Sequence, residues 1–180
     1  MRNDRHRLGA LLILICVAGG SACLLLYAHR ATDLPMLEAG SAIPEVSVTS
    51  TRGTSERLRG ILRGPCLLLV FSTGCEHCRN MLRDLSAHRA LTSTLTRVIG
   101  LSLSPSTETQ QWAEWQVDHF PVYLLSPEAA RRQLGIQMVP TVIFLRDSVI
   151  RRTFKGVTMP GPDSLFALSA EEFRASGELR

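Results

Sequence analysis

Charge is absent from residues 8 to 28, and other absences narrow the chain further. Aromatic residues make up only 6% of the sequence, and no basic stripe interleaves with them, which excludes a nucleic-acid-binding surface. No second Cys/His cluster accompanies the close pair Cys75 and Cys78, so a closed four-ligand zinc site has no evident donor set. There is no internal repeat and no low-complexity tract. The net charge of +4 misleads. Arg2, Arg5, Arg7, Arg30 and Asp4 lie around the N-terminal segment, and residues 31–180 carry sixteen Lys/Arg against fifteen Asp/Glu. The remainder of the 180 residues is near neutral, 45% of the chain is hydrophobic, and that is enough for one core.

The uncharged run from Leu8 to Ala28 is long enough to cross a bilayer. At ~1.5 Å per residue it spans about 31 Å. Three arginines precede it, which places residues 1–7 in the cytoplasm and the chain beyond Arg30 outside. A cleaved signal peptide competes with this reading, and Gly20-Ser21-Ala22-Cys23 hints at lipoprotein processing at Cys23. Leu24-Leu25-Leu26-Tyr27 continues the apolar run past that point and favours an uncleaved anchor.

Residues 29–42, with Pro35, Gly40 and Ser41, read as a linker, and residues 43–176 as one domain. Strands are expected at 45–49, 66–72, 97–103, 120–124, 141–145 and 149–154. Arg52-Gly53-Thr54 and Arg146-Asp147-Ser148 read as turns. A short helical or irregular piece carries Leu58, Ile61 and Leu62. Helices are expected at 76–90, with Met81, Leu82, Leu85 and Ala90 facing inward, at 127–134 with proline at its start, and at 163–175. Another carries Trp112, Trp115 and Val117, capped by Ser106 or Thr107. Strands alternating with helices give an α/β class and a largely parallel sheet, with an antiparallel final pair.

Cys75-Glu76-His77-Cys78 joins an apolar strand to an amphipathic helix. Unpaired N–H groups and the positive dipole end at a helix start favour a thiolate. A thiolate can attack a disulfide, and a second cysteine one turn on can release the mixed disulfide. Cys75 is therefore the expected nucleophile and Cys78 the resolving thiol. Loop closure over so short a span removes little entropy, which argues against a structural staple. Cys16 and Cys23 read as small apolar residues, and Cys66 as an inert core thiol. Pro140 opens a second apolar run, Thr141 to Leu145. Proline suits the first residue of a strand, and a cis bond there would bring the Val139 backbone near the thiols and leave it free for a substrate peptide.

The ordered set Ile43-Pro44, Gly64-Pro65, Cys75-Glu76-His77-Cys78, Phe120-Pro121-Val122, Val139-Pro140-Thr141 and Gly156 resembles the thioredoxin superfamily over roughly residues 41–175. It looks most like the membrane-anchored TlpA/ResA/CcmG branch of thiol:disulfide oxidoreductases. Gly74 in place of a tryptophan is similar to MauD-like members. The resemblance implies a central mixed sheet flanked by helices, an N-terminal β-hairpin, and a helix–strand unit inserted around 104–126. It implies no cofactor. Its expected partners are a protein disulfide substrate outside the cytoplasm and a membrane electron-donor protein of the thiol-reducing type. Its setting is the bacterial inner membrane with the domain facing the periplasm, in cytochrome c or secreted-enzyme maturation. By the same resemblance, Gly74, Val139, Pro140 and Thr141 would contact substrate, while His77 and Glu76 would tune the redox poise.

Two departures from the superfamily pattern leave the direction of electron flow open. Leu69 stands where many members have an acid or amide, and Met81 where some reductases have a glutamate. The Pro-x-x-x-Thr/Ser-x-x-Cys pattern that activates a peroxidatic cysteine is missing. Two other readings stand beside the oxidoreductase. One is a metal-binding module using Cys75, Cys78 and His77 or His88, since thiolates suit Cu(I) or Zn(II). The other is a non-catalytic scaffold. His119, Trp112, Trp115 and the arginine pairs Arg131-Arg132 and Arg151-Arg152 read as surface or packing residues.

Overall fold

The run Pro65–Phe71 (β3) is apolar at almost every position, and every residue from Cys66 onward is buried. A strand covered on both faces reads this way. Its side chains divide by parity. Cys66, Leu68 and Val70 enter one core cluster, while Leu67, Leu69 and Phe71 enter the other. In the computed structural model the described residues are 37–87, 97–115 and 120–156, with 164, 165, 167, 168 and 171 near the C-terminus. They belong to a unit spanning Pro35–Arg180.

The chain enters through a hairpin of β1 (Ser47–Ser50) and β2 (Ser55–Arg57), whose turn uses Gly53 at φ 86°. A single turn of helix, α1 (Leu58–Ile61), leads to β3. Then come α2 (Glu76–Ala87), β4 (Arg97–Ser102), α3 (Ser106–Trp115), β5 (Val122–Leu124), α4 (Pro127–Leu134), β6 (Thr141–Arg146) and β7 (Val149–Lys155). Among the described residues these strands form one sheet in the order β2-β1-β5-β4-β3-β6-β7. The β3–β4 and β4–β5 pairs are parallel, and all the others are antiparallel. The expected thioredoxin-like α/β architecture is present, with its mixed sheet, its N-terminal hairpin, and the helix–strand unit α3–β5 entering between β4 and α4. The sheet is not largely parallel as the alternation of strands and helices suggests: four of its six described pairs are antiparallel, because β1 runs against both its neighbours and β6 enters against β3.

Local chemistry explains the boundaries. Helix α4 starts at Pro127 because Ser126 Oγ accepts the Ala129 N–H at 3.2 Å, and it stops because Gly135 turns left-handed at φ 65°. Asp147 and Ser148 both take positive φ, 50° and 64°, which suits a two-residue turn between twisted strands. Their side chains are occupied: Asp147 Oδ1 accepts the Gly64 N–H at 2.9 Å, and Ser148 Oγ donates to Leu62 O at 3.2 Å. Helix α3 differs from expectation at its start. Pro105 O accepts the Thr109 N–H at 3.0 Å, so the cap position falls on Pro105 and not on Ser106 or Thr107. Strand β5 is also shorter than expected, with Phe120 and Pro121 outside it.

Part of the stretch read as linker is docked. The Gly40 N–H donates to Ile150 O at 2.7 Å, the Ile150 N–H donates to Ser41 O at 2.8 Å, and Leu37 is buried. Residues 37–42 therefore run along β7, because its outer edge would otherwise leave backbone groups unpaired. The apolar segment 8–28 lies outside the described residues, as do Ala90, Val117, His88, His119 and most of the expected C-terminal helix. Among the described residues no helix is long and apolar enough to cross a membrane.

Candidate functional site

β3 ends at Phe71 inside the core, and Ser72-Thr73-Gly74 carries the chain up to the first turn of α2. Cys75 is the residue on which that helix starts, since its carbonyl accepts the Arg79 N–H at 3.0 Å. Its side chain does what a capping oxygen would do. The Cys78 N–H donates to Cys75 Sγ at 3.2 Å, so the sulfur fills the N-cap role at a helix end that favours negative charge. Cys75 is half-buried, and Cys78 is wholly buried behind it among Leu67, Leu69, Phe71 and Leu82. Burial first, and then its hydrogen bond with Cys75, push the Cys78 thiol up to about 12, against the opposing effect of the Ser72 backbone. The third described thiol, Cys66, is also buried and pushed up to about 12 by burial, with Arg97 opposing and Asp147 adding. It lies near the opposite end of β3, away from the pair.

Antiparallel pairing of β3 with β6 brings the second motif to the same sheet end, with Val70 opposite Thr141. The Val139–Pro140 bond is cis. The Cys75 thiol points at Val139 O at 4.0 Å. Pro140 and Thr141 are buried, and Thr141 Oγ1 donates to Met138 O at 2.8 Å, which closes the turn. The Gly156 N–H donates to Pro140 O at 2.8 Å and ties β7 to the same loop. A groove of about 490 Å³ opens beside Val139, lined by Leu103, Pro127, Arg131, Ile136 and Met138 among others. Met138 is half exposed there.

The fold thus brings Cys75, Cys78, Val139, Pro140 and Thr141 to one place. Gly74, Glu76 and His77 lie on the exposed rim. The donor to the Cys75 sulfur is the backbone N–H of Cys78. Leu69 is buried in the core, Met81 is half-buried against the same cluster, and neither brings an ionisable group to Cys78. Trp112 packs at the site's base, its ring centroid 4.9 Å from that of Phe71 and 6.5 Å from that of Phe120. Among the described residues no group of three His, Cys, Asp or Glu side chains is placed to hold a metal ion.

What the sequence did not reveal is a hydroxyl cluster bracing the turn. Ser104 Oγ lies 3.0 Å from Ser72 Oγ and 2.9 Å from Thr73 Oγ1, and accepts the Thr73 N–H at 2.8 Å. Thr73 Oγ1 donates to Glu108 Oε2 at 2.9 Å. Beneath them the buried hydroxyls of Ser102 and Thr109 pair at 2.7 Å. The only sequence signal was a run of Ser and Thr after β4, which reads as ordinary loop.

The AhpC/TSA family matches residues 39–154. Solved structures share the fold at low identity. A thiol:disulfide interchange protein from Bacteroides sp. is 18% identical, with 79% of this chain and 95% of that one covered at a TM-score of 0.64. The thioredoxin domain of a thiol-disulfide oxidoreductase from Bacteroides vulgatus is 20% identical, with coverage of 77% and 99% and a TM-score of 0.60. A secreted Mycobacterium tuberculosis disulfide oxidoreductase, described as homologous to E. coli DsbE, is 16% identical, with coverage of 70% and 95% and a TM-score of 0.59. No curated protein sequence matches the chain. A half-exposed thiol capping a helix over a buried one, set on this fold and matched over this span, identifies a thioredoxin-like oxidoreductase, and the chain belongs to the AhpC/TSA family.

Proposed function

We propose that the chain is a membrane-anchored thiol:disulfide oxidoreductase of the TlpA/ResA/CcmG type, working on protein disulfides outside the cytoplasm as a reductase. The observation that carries this reading is the asymmetry of the pair. Cys75 is accessible and receives a helix-start N–H on its sulfur, while Cys78 is buried and held protonated. In the reductive direction the Cys75 thiolate attacks one sulfur of a substrate disulfide. An S–S bond forms between Cys75 and substrate, and the other substrate sulfur leaves as a thiolate that takes up a proton. Cys78 then loses its proton and attacks Cys75 Sγ, which releases the second substrate sulfur and leaves a Cys75–Cys78 disulfide. Two electrons pass to the substrate, and a membrane thiol-reducing partner restores the dithiol. Gly74, Val139, Pro140 and Thr141 would line the substrate peptide, with the Val139 carbonyl nearest the attacking sulfur. His77 and Glu76 on the rim would adjust the potential through their charge. Residues 8–28 would hold the domain at the bacterial inner membrane, facing the periplasm.

A Cys78→Ser variant of the full-length chain tests the reading. It should accumulate a mixed disulfide through Cys75 with a disulfide-containing protein, while Cys75→Ser should trap nothing. A chain that instead holds Cu(I) or Zn(II) through Cys75, Cys78 and a histidine would lose metal in the same variant and give no adduct.

A further inference from the structure

Ser72 and Thr73 carry the dithiol turn, and both are anchored to a part of the chain about thirty residues away. Ser72 O accepts the Cys75 N–H at 3.1 Å, and Cys75 Sγ in turn accepts the Cys78 N–H at 3.2 Å. Whatever fixes Ser72 therefore fixes the turn on which Cys75 sits and from which its sulfur meets the Cys78 N–H. Ser104 is the hub of that anchoring, with contacts to the Ser72 hydroxyl and to both the N–H and the hydroxyl of Thr73. Its own N–H donates to Ser102 Oγ at 3.2 Å, which roots the hub in the buried sheet. The Thr73 hydroxyl has one hydrogen and two acceptors at equal distance, Ser104 Oγ and Glu108 Oε2, both at 2.9 Å. A carboxylate is the stronger acceptor, so it draws that hydrogen and sets the Thr73 rotamer.

We propose that Ser104 and Glu108 are positioning residues of the dithiol, holding the Ser72–Thr73 turn so that Ser72 O stays on the Cys75 N–H and the Cys75 sulfur stays on the Cys78 N–H. The inference rests on the thiol-exchange reading of the pair. It also gives the chain a carboxylate tied to the dithiol turn where Leu69 and Met81 supply none. Glu108 reaches the turn from the first turn of α3, through Thr73 and without touching substrate.

The test uses full-length chains with Glu108→Ala, Glu108→Gln and Ser104→Ala, each measured for its equilibrium constant with glutathione and for the pH profile of Cys75 alkylation by iodoacetamide. Glu108→Ala and Ser104→Ala should move the equilibrium constant by about threefold to tenfold, the size of one lost hydrogen bond. Glu108→Gln keeps an acceptor oxygen for Thr73 and should retain most of the wild-type value. A residue that merely braces the surface would lower the urea midpoint and leave both the equilibrium constant and the pH profile in place, and that result overturns the proposal. A wild-type chain that does not exchange with glutathione at all would remove the thiol-exchange reading and this inference with it.

Discussion

Three cysteines within thirteen residues differ only in what surrounds them. Cys66 and Cys78 have their thiols raised from an ordinary value of 9.0 to about 12, chiefly by burial. A thiol held there is ionised to about one part in 10⁵ at pH 7. Iodoacetamide at neutral pH should therefore modify Cys75 in the reduced native chain, with Cys66 and Cys78 reacting only after unfolding, as peptide mass mapping would show. The same shift has a stability consequence. The folded state holds these protons more tightly than the unfolded chain, so the contribution is complete below about pH 9 and is lost as pH rises toward 12. Urea midpoints should fall between pH 9 and 11, and Cys66→Ala should flatten that fall while lowering the midpoint throughout. The raised Tyr123 hydroxyl adds to the slope and remains in the variant.

Strand β4 shows how little space an element can leave. A Cβ at Gly100 would stand 3.0 Å from Phe120 Cε2, 3.1 Å from Val122 Cγ2 and 3.2 Å from Phe71 Cε1. Gly100 thus lets the aromatic group of Phe71, Trp112 and Phe120 close under the dithiol turn. Gly100→Ala should cost about 1–3 kcal/mol by overpacking, seen as a lower urea midpoint at unchanged m-value. A glycine inside a strand pattern is a legible sign of close approach, although it does not name the neighbour. Most elements are equally legible. β3, β4 and β6 announce themselves through apolar runs, and Pro127 marks the start of α4. The start of α3 falls one or two residues before its expected place, because Ser106 and Thr107 both look like caps while the first helical hydrogen bond is accepted by Pro105 O. The hydroxyl brace is illegible for a different reason. Ser104 meets Thr73 only because β3 and β4 pair in parallel with Phe71 opposite Ser102, and that register is not written in either segment alone.

At the scale of the whole unit, the N-terminal approach is part of the fold. Residues 37–42 contribute backbone pairing along β7 and the burial of Leu37. A chain beginning at Ile43 should be less stable than one beginning at Pro35 by about 2–4 kcal/mol, from lost hydrogen bonds and apolar burial. It should also self-associate through the uncovered β7 edge. Parallel urea titrations and sedimentation of the two fragments would check this. The composition shift near Gly40 marks a boundary, but sequence pattern could not tell a tether from an edge cover, since both are short, polar and glycine-containing.

The Val70–Thr141 pairing makes assembly and chemistry inseparable. A slide of β6 by one residue along its neighbour would shift the Val139 carbonyl by about 3.3 Å from its place beside the attacking sulfur and turn Phe144 and Val142 to the wrong side. A misaligned molecule would keep both thiols and lose the cradle beside them, so turnover itself reports whether the strands were zipped in their proper frame.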